Sequence, residues 1–363
     1  RGVALAPLSW RLTEPELDAQ LAIIEPAAVL RDTVLDLPRV SGASPDDSSG
    51  LLIVFTSGTA ARPKAAVLTA ENCRATNQSL QGALGLTSDD VVLGVLPQFH
   101  AAGWNSQPLL AVGVGARLSL APTFDAGDCL RGIGAGVTAL MGVPSTWQAL
   151  SRHPSFESTD LSSLRIAVVG GAPTPPGLLR VWRDRGVTLR QGYGLTEAGP
   201  NVLCQAPGDA AGPSGRPYPG VEIRTDDGEL LVRSGGVFAG YFRDPDATAA
   251  AFADDWLRTG DVARLEPDGQ VTIVDRAKDI YISGGENVAP AEIEAVLLGH
   301  PLVVDAAVVG VADDTWGEVG LAYVVAEGVS EAELLLWCGE RLAGFKVPSR
   351  VEFVSELPRS GID

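Results

Sequence analysis

Gln191-Gly-Tyr-Gly-Leu-Thr-Glu-Ala-Gly-Pro200 is the stretch around which the chain is organised. It follows Val187-Thr-Leu-Arg190, a β-branched and apolar run that predicts a short strand. Gly192 and Gly194 flank Tyr193, so the backbone there can turn sharply and lie close to a ligand. Within a few residues Tyr193 offers a flat ring for a planar base and Thr196 a hydroxyl for a phosphate oxygen. Glu197 offers a hard carboxylate of the kind magnesium takes. Together they read as the floor of a nucleotide site. They read equally as a strand-end loop with a surface Thr-Glu capping pair, and the stretch alone leaves both open.

On its N-terminal side, strand and helix signals alternate. Leu51-Leu-Ile-Val-Phe55 is a continuous apolar run, as expected of a strand buried on both faces. Thr13-Glu-Pro-Glu16 is a capping box for one helix, and Thr69 predicts the cap of another over residues 70–84. Residues 91–96, 116–120, 137–142 and 165–169 predict short strands separated by apolar helical stretches, which is the α/β pattern. After Gly220, residues 221–224, 228–233 and 270–274 predict short strands joined by Asp-Gly and Gly-rich turns, a small barrel-like β layer. Beyond Asp275 the sequence predicts a compact α+β unit: helices at 291–298 and 331–342, strands at 306–311, 321–326 and 351–354. The expected fold is therefore α/β, with a large layered domain at residues 1–275 and a small α+β domain at 276–363, linked near 275–278.

Composition narrows the function. The 363 residues are 45% hydrophobic and 20% charged, enough for sizeable cores and unlike a disordered chain. The net charge of −18 argues against a nucleic-acid backbone or an anionic membrane as partner. No apolar run approaches the ~20 residues of a membrane helix. Cys73, Cys129, Cys204 and Cys338 lie far apart, as reduced thiols of a cytoplasmic protein would. His100, His153 and His300 are too dispersed to predict a zinc site. Arg1 has no Met before it and Asp363 stands in a polar loop, so the sequence is expected to be incomplete at both ends.

Thr56-Ser-Gly-Thr-Ala-Ala-Arg-Pro-Lys64 is a hydroxyl-rich loop after the buried apolar run, ending in a lysine. Hydroxyls, free backbone N–H groups and an ammonium suit a triphosphate. The spacing is not that of a Walker A loop. An ordinary strand-to-helix loop is the other reading.

This loop resembles the phosphate loop of the adenylate-forming superfamily, which holds acyl-CoA synthetases, luciferases and the adenylation domains of peptide synthetases. The resemblance continues in order through Leu96-Pro-Gln-Phe-His-Ala-Ala-Gly103, Val169-Gly-Gly-Ala-Pro173, Tyr193-Gly-Leu-Thr-Glu197, Gly235-Gly-Val-Phe-Ala-Gly-Tyr241 and Thr259-Gly-Asp261. It goes on through Asp275-Arg-Ala-Lys-Asp-Ile-Tyr-Ile-Ser-Gly-Gly-Glu-Asn287 and Ala343-Gly-Phe-Lys-Val-Pro348. The shared order makes the match specific where each motif alone is weak.

The resemblance implies ATP, Mg²⁺ and CoA, with a small carboxylic acid as the other substrate. It implies phosphate contacts at Thr56, Ser57, Gly58, Thr59, Lys64 and Thr196, and Glu197 as the magnesium ligand. It sets the ring of Tyr193, next to Gly194, against adenine, beside the backbone of Gly170, Gly171 and Ala172. Asp261 matches the acceptor for the ribose hydroxyls, where a carboxylate offers two oxygens and no competing donor, and Arg276 reaches the ribose and α-phosphate. His100 falls between the acyl pocket and the nucleotide. Lys278 falls at a hinge of a mobile small domain, and Ser283, Gly284 and Gly285 in a loop serving thioester formation. The family's catalytic lysine would come directly after Asp363. Ala60, Ala61 and Ala65 depart from the family pattern and predict a stiffer phosphate loop. The segment Phe99-His-Ala-Ala-Gly-Trp-Asn105 has no acid to pair a substrate ammonium, which argues against an amino-acid substrate. An acyl-carrier protein as acceptor, or a degenerate adenylate-binding protein, are the alternatives to an acyl-CoA synthetase.

Overall fold

The computed structural model describes residues 4–9, 11–26, 29, 50–56, 63–172, 174–206, 214–276, 279–283, 286–313 and 315–358. Ser57, Gly58, Thr59, Ala60, Ala61, Lys278, Gly284 and Gly285 lie outside the described residues.

A seven-stranded sheet carries the site. Its strand order is Arg117–Leu120, Val91–Gly94, Ala139–Gly142, Ile166–Val169, Arg190–Tyr193, Leu203–Cys204, Arg216–Pro217. The first five are parallel and the last two antiparallel. Ala139–Gly142 and Ile166–Val169 are apolar and buried at every position, because helices cover both faces. On one face Ala126–Gly134, Pro144–Arg152 and Pro176–Asp184 bury Ile133, Leu150, Trp147 and Trp182. On the other, Ala70–Leu84 brings Leu80 and Leu84 against Leu110, Met141 and Val168. Trp147 donates its Nε1–H to the Val168 carbonyl at 3.1 Å, and Trp182 donates to Trp147 at the same distance. That pair fixes the strand whose next residue is Gly170. Ligands of such sheets collect at the carboxyl ends of the strands. Here those ends lead into His100, Gly170 and Gly194.

Three smaller sheets complete the molecule. Gly50–Thr56, Lys64–Thr69 and Gly240–Tyr241 form an antiparallel three-stranded sheet. Val221–Asp226, Glu229–Ser234, Phe252–Ala253, Trp256–Leu265 and Val271–Arg276 form a five-stranded one, the expected β layer. Tyr281–Ser283, Glu286–Val288, Val303–Asp313, Gly317–Ala326 and Arg350–Phe353 form the last, packed by Pro290–Leu298 and Glu331–Gly339 around a core of Ile293, Leu297, Val324 and Leu334. No helix among the described residues is long and apolar enough to cross a membrane.

Three expectations change. The strand predicted over 187–190 lies at Arg190–Tyr193 instead: Val187 and Leu189 are buried on the approach, and the hydrogen-bonded register with Val168 and Val169 begins only at Arg190. The loop after Thr56 joins two antiparallel strands, not a strand and a helix, with Lys64 opposite Thr56. Ala65 lies in extended strand opposite Phe55 and needs no left-handed φ, so its methyl group costs that position no conformational freedom.

Candidate active site

Two carboxylates define the site. Glu197 sits in the single 3₁₀ turn Thr196–Ala198 that follows the strand through Tyr193. Its Oε1 accepts from the Tyr241 hydroxyl at 2.8 Å and from the Thr56 hydroxyl at 3.3 Å. The register explains the meeting. Thr56 ends one strand opposite Lys64, and Tyr241 pairs with Ala66 two residues further on. Lys64 places its Nζ 4.9 Å from the centre of the Tyr241 ring, a cation–π contact. The carbonyl of Glu197 accepts from Phe238 N at 2.8 Å, which ties the turn to the segment leading into Tyr241. The loop above it closes on itself: a Cβ at Gly194 would sit 2.1 Å from the Pro200 carbonyl oxygen, so the glycine serves that close approach.

Asp261 stands on the long strand Trp256–Leu265, directly opposite Arg276 on Val271–Arg276. It is 2% exposed. Oδ1 takes Arg276 Nε at 2.7 Å and Oδ2 takes the Tyr193 hydroxyl at 2.5 Å. Burial pushes its pKa above the ordinary carboxylate value, while the Tyr193 hydrogen bond and the Arg276 charge pull it back down. Burial, and then the neighbouring Asp261 charge, push the Tyr193 hydroxyl well up, so it remains the donor. Each carboxylate oxygen has two lone-pair directions, so these two partners leave acceptor capacity for a diol.

Gly170, Gly171 and Ala172 follow Ile166–Val169 and lie beside the strand of Tyr193. A Cβ on Gly170 would come within 2.9 Å of the Gly192 carbonyl, and Gly171 has φ of +85°. Gly171 and Ala172 are exposed, just past the strand that pairs with the one leading to Tyr193. His100 precedes the helix Ala101–Trp104, its ring 4.6 Å from that of Phe99. Gln107, in the π turn Asn105–Leu109, accepts from Leu96 N at 3.2 Å and donates to Met141 O at 2.8 Å, fastening the His100 segment to the sheet. Asn201 donates to Ser106 Oγ at 2.9 Å and joins that segment to the Glu197 loop.

The structure thus gathers Thr56, Lys64 and Glu197 at one end, with Thr196 next in the chain. It gathers Tyr193, Asp261 and Arg276 at the other, with Gly170 to Ala172 alongside. Ser283 is buried at the end of Tyr281–Ser283, opposite Glu286 in a hairpin, and among the described residues no hydrogen bond joins it to either carboxylate. Sequence reasoning missed Tyr241, although it closes a quoted motif. The available signal was a Gly-Tyr pair held by Thr248, whose Oγ1 accepts from Tyr241 N at 2.9 Å.

Comparison with known proteins gives this site its family. The family model described as AMP-binding enzyme matches residues 31–242, and that of the AMP-binding enzyme C-terminal domain matches residues 292–362. A feruloyl-CoA synthase of Amycolatopsis sp is 39% identical, over 99% of this chain and 82% of the relative. A 3-[(3aS,4S,7aS)-7a-methyl-1,5-dioxo-octahydro-1H-inden-4-yl]propanoyl:CoA ligase of Mycobacterium tuberculosis is 42% identical, over 89% and 66%. Among solved structures, ATP-bound MatB from Rhodopseudomonas palustris superposes with a TM-score of 0.82 at 31% identity, over 89% of this chain and 68% of that one. O-succinylbenzoate coenzyme A synthetase from Bacillus subtilis, in complex with ATP and magnesium ion, superposes at 0.80 and 33% identity, over 86% and 68%. The chain belongs to the AMP-binding enzyme family, the adenylate-forming enzymes.

Proposed function

We propose that this chain is a carboxylate–CoA ligase acting on a ring-bearing acid in the cytoplasm. ATP activates the acid to acyl-AMP and pyrophosphate, and the acyl group then passes to CoA with release of AMP. The acid is already an anion, so its oxygen attacks the α-phosphorus without a general base. Catalysis then consists of positioning and of neutralising phosphate charge. Lys64, Thr56 and Thr196 hold the phosphates in this reading. Asp261 accepts from the ribose hydroxyls, and Arg276 reaches between ribose and α-phosphate. In the second step the CoA sulfur attacks the acyl carbonyl and AMP leaves with the electrons of the acyl–oxygen bond.

Magnesium fits the residues present. No cluster of three or more His, Cys, Asp or Glu that could hold a metal occurs among the described residues. Magnesium in nucleotide sites is commonly held by one or two carboxylates plus substrate phosphates, with the remaining positions kept by water. Glu197 supplies one such carboxylate, beside the Thr56 hydroxyl, and a bound Mg²⁺ would neutralise phosphate charge there. The observation that carries the proposal is this carboxylate, on a turn between a phosphate-type hairpin and a diol-type acceptor. The ring-bearing substrate rests on the relatives, whose names describe feruloyl, succinylbenzoate and fused-ring propanoyl substrates. The four cysteines are all buried, and their burial and wide spacing are in keeping with a reducing compartment.

The test is acid-dependent pyrophosphate release from ATP by the full-length protein, followed by thioester assay with CoA and with acyl-carrier protein. Thioester on CoA is expected. Thioester on carrier protein alone would move the assignment to an acyl-AMP ligase of that kind, and absence of acid-dependent pyrophosphate release would leave only nucleotide binding. The division at 275/276 and a hinge at Lys278 belong to the same proposal. Ser283 serves thioester formation in this reading, yet no hydrogen bond among the described residues joins it to either carboxylate, so the small domain must turn to bring its hairpin to the site. Lys278→Pro, by fixing φ, is expected to spare one half-reaction and slow the other. Equal rates in both half-reactions, or equal losses, would place the hinge elsewhere.

A further inference from the structure

Behind the Glu197 turn lies a cavity of about 240 Å³, larger than the ~150 Å³ space that takes a benzene ring. Its wall includes Thr76, Ser79, Asn201, Pro219, Ser234 and Gly236, and no charged side chain lines it. Asn72, Thr76 and Ser79 lie on one face of the helix Ala70–Leu84, at the i, i+4, i+7 spacing. The outer two are bonded across the gap: Asn72 Nδ2 donates to Gly235 O at 2.9 Å, and Ser79 Oγ donates to Pro219 O at 2.6 Å. The middle one is not. Thr76 is 4% exposed and its hydroxyl has no hydrogen-bond partner. A buried hydroxyl without a partner is costly, and such groups are normally satisfied.

The cavity adjoins the turn that carries Glu197. Gly199, two residues on, packs so closely that a Cβ there would lie 2.5 Å from Thr76 Oγ1; the same holds for Gly236. Asn201, in the same loop, gives its Nδ2 to Ser106, which leaves Oδ1 as an acceptor. Ser234 Oγ accepts from Gly236 N at 3.1 Å and keeps its own hydrogen to donate. Thr76 itself lines the cavity, and threonine in a helix has two χ1 positions open to its hydroxyl.

We infer that this cavity receives the far end of the carboxylic acid, and that the end it takes is uncharged and carries a hydroxyl, ether or carbonyl oxygen. The inference rests on the ligase reading and adds the substrate class. A saturated tail would leave the Thr76 hydroxyl unsatisfied. A second carboxylate or an ammonium would find no counter-charge in the lining.

The test uses 3-phenylpropanoic, 3-(4-hydroxyphenyl)propanoic and 3-(4-carboxyphenyl)propanoic acids with the full-length protein. Direct binding is read by calorimetry without ATP, and activation by pyrophosphate release. The hydroxylated acid is expected to exceed the other two by about tenfold or more in affinity and in kcat/KM, as for a site built to hydrogen-bond its substrate. Thr76→Val and Asn201→Leu are expected to abolish that preference for the hydroxylated acid, because the groups that hydrogen-bond it are gone, with KM for ATP unmoved. Thr76→Ser, which keeps the hydroxyl, is expected to keep the preference. Equal handling of all three acids by the parent, or a preference that survives both substitutions, overturns the inference. Selective binding without pyrophosphate release supports the cavity and overturns the ligase reading, so the two failures are distinguishable.

Discussion

Glu197 and Asp261 are both acids that accept a tyrosine hydroxyl, yet they are set for different tasks. Asp261 is buried, has a partner on each oxygen, and stands opposite its own counter-ion, Arg276. Its charge is already balanced, which suits hydrogen bonding to neutral hydroxyls. Glu197 uses one oxygen only, and among the described residues it forms no ion pair. Lys64, the nearby cation, lies over the Tyr241 ring instead. A carboxylate with hydroxyl neighbours and no resident cation is a place for one to be brought in. The two acids differ less in themselves than in what the strand register sets opposite them. Asp261 meets Arg276 across a ladder, whereas Glu197 meets a hairpin end and a phenol.

The largest effect expected from this contrast is at Glu197. Glu197→Gln keeps an acceptor for Tyr241 and removes the charge. Pyrophosphate release is expected to fall about 100-fold or more, the scale of losing one preorganised electrostatic contact, and excess magnesium is expected to restore little of it. Release at the parent rate would take the metal away from this residue. Next comes Asp261→Ala, which removes the acceptor and leaves Arg276 unpaired. A loss of roughly 1.5–3 kcal/mol in AMP and ATP affinity, about ten- to 150-fold, is expected for hydrogen bonds to a charged group. Calorimetry showing unchanged nucleotide affinity would sink the diol assignment.

Much of this was legible in sequence because the motifs fall where strands end. Tyr193 and Glu197 stood out in a short local pattern, Asp261 and Arg276 through the order of motifs in the family resemblance, and the structure brings Tyr193 and Arg276 each within hydrogen-bond reach of Asp261. What was illegible came from partners distant in the chain. Tyr241 is 44 residues from Glu197, and nothing local says that its hydroxyl points there. The strand Lys64–Thr69 was missed because Ala65 and Ala66 carry no β-propensity signal and are fixed by pairing with Phe55 and Val54. The strand Trp256–Leu265 mixes Arg, Thr, Gly and Asp with its apolar residues, so its alternation is weak, and a register break beside Val262 interrupts it. Thr76 reads as one more polar helix residue until its neighbours Asn72 and Ser79 are seen to be bonded and it is not.

The smallest expected effects separate the two ends most sharply. Tyr241→Phe and Tyr193→Phe each remove one hydroxyl and keep the ring, so the Lys64 contact and any stacking on adenine remain. A single hydrogen bond is worth about 0.5–1.5 kcal/mol net, or roughly two- to twelvefold. Tyr241→Phe leaves Glu197 Oε1 with only the longer bond to Thr56, and is expected to raise the magnesium requirement for pyrophosphate release while leaving AMP affinity alone. Tyr193→Phe is expected to weaken AMP binding and leave the magnesium requirement alone. It carries a pH signature as well. The Tyr193 hydrogen bond holds the Asp261 pKa down against burial, so its loss lets that pKa rise. Protonation then removes the acceptor at a higher pH, and the acid-side fall in AMP affinity should move upward in Tyr193→Phe and stay in place in Tyr241→Phe. Titration of AMP affinity against pH in both variants reads this directly. If both substitutions shift magnesium requirement, AMP affinity and pH midpoint alike, the two carboxylates act as one coupled unit and the division between a metal-type acid and a diol-type acid fails.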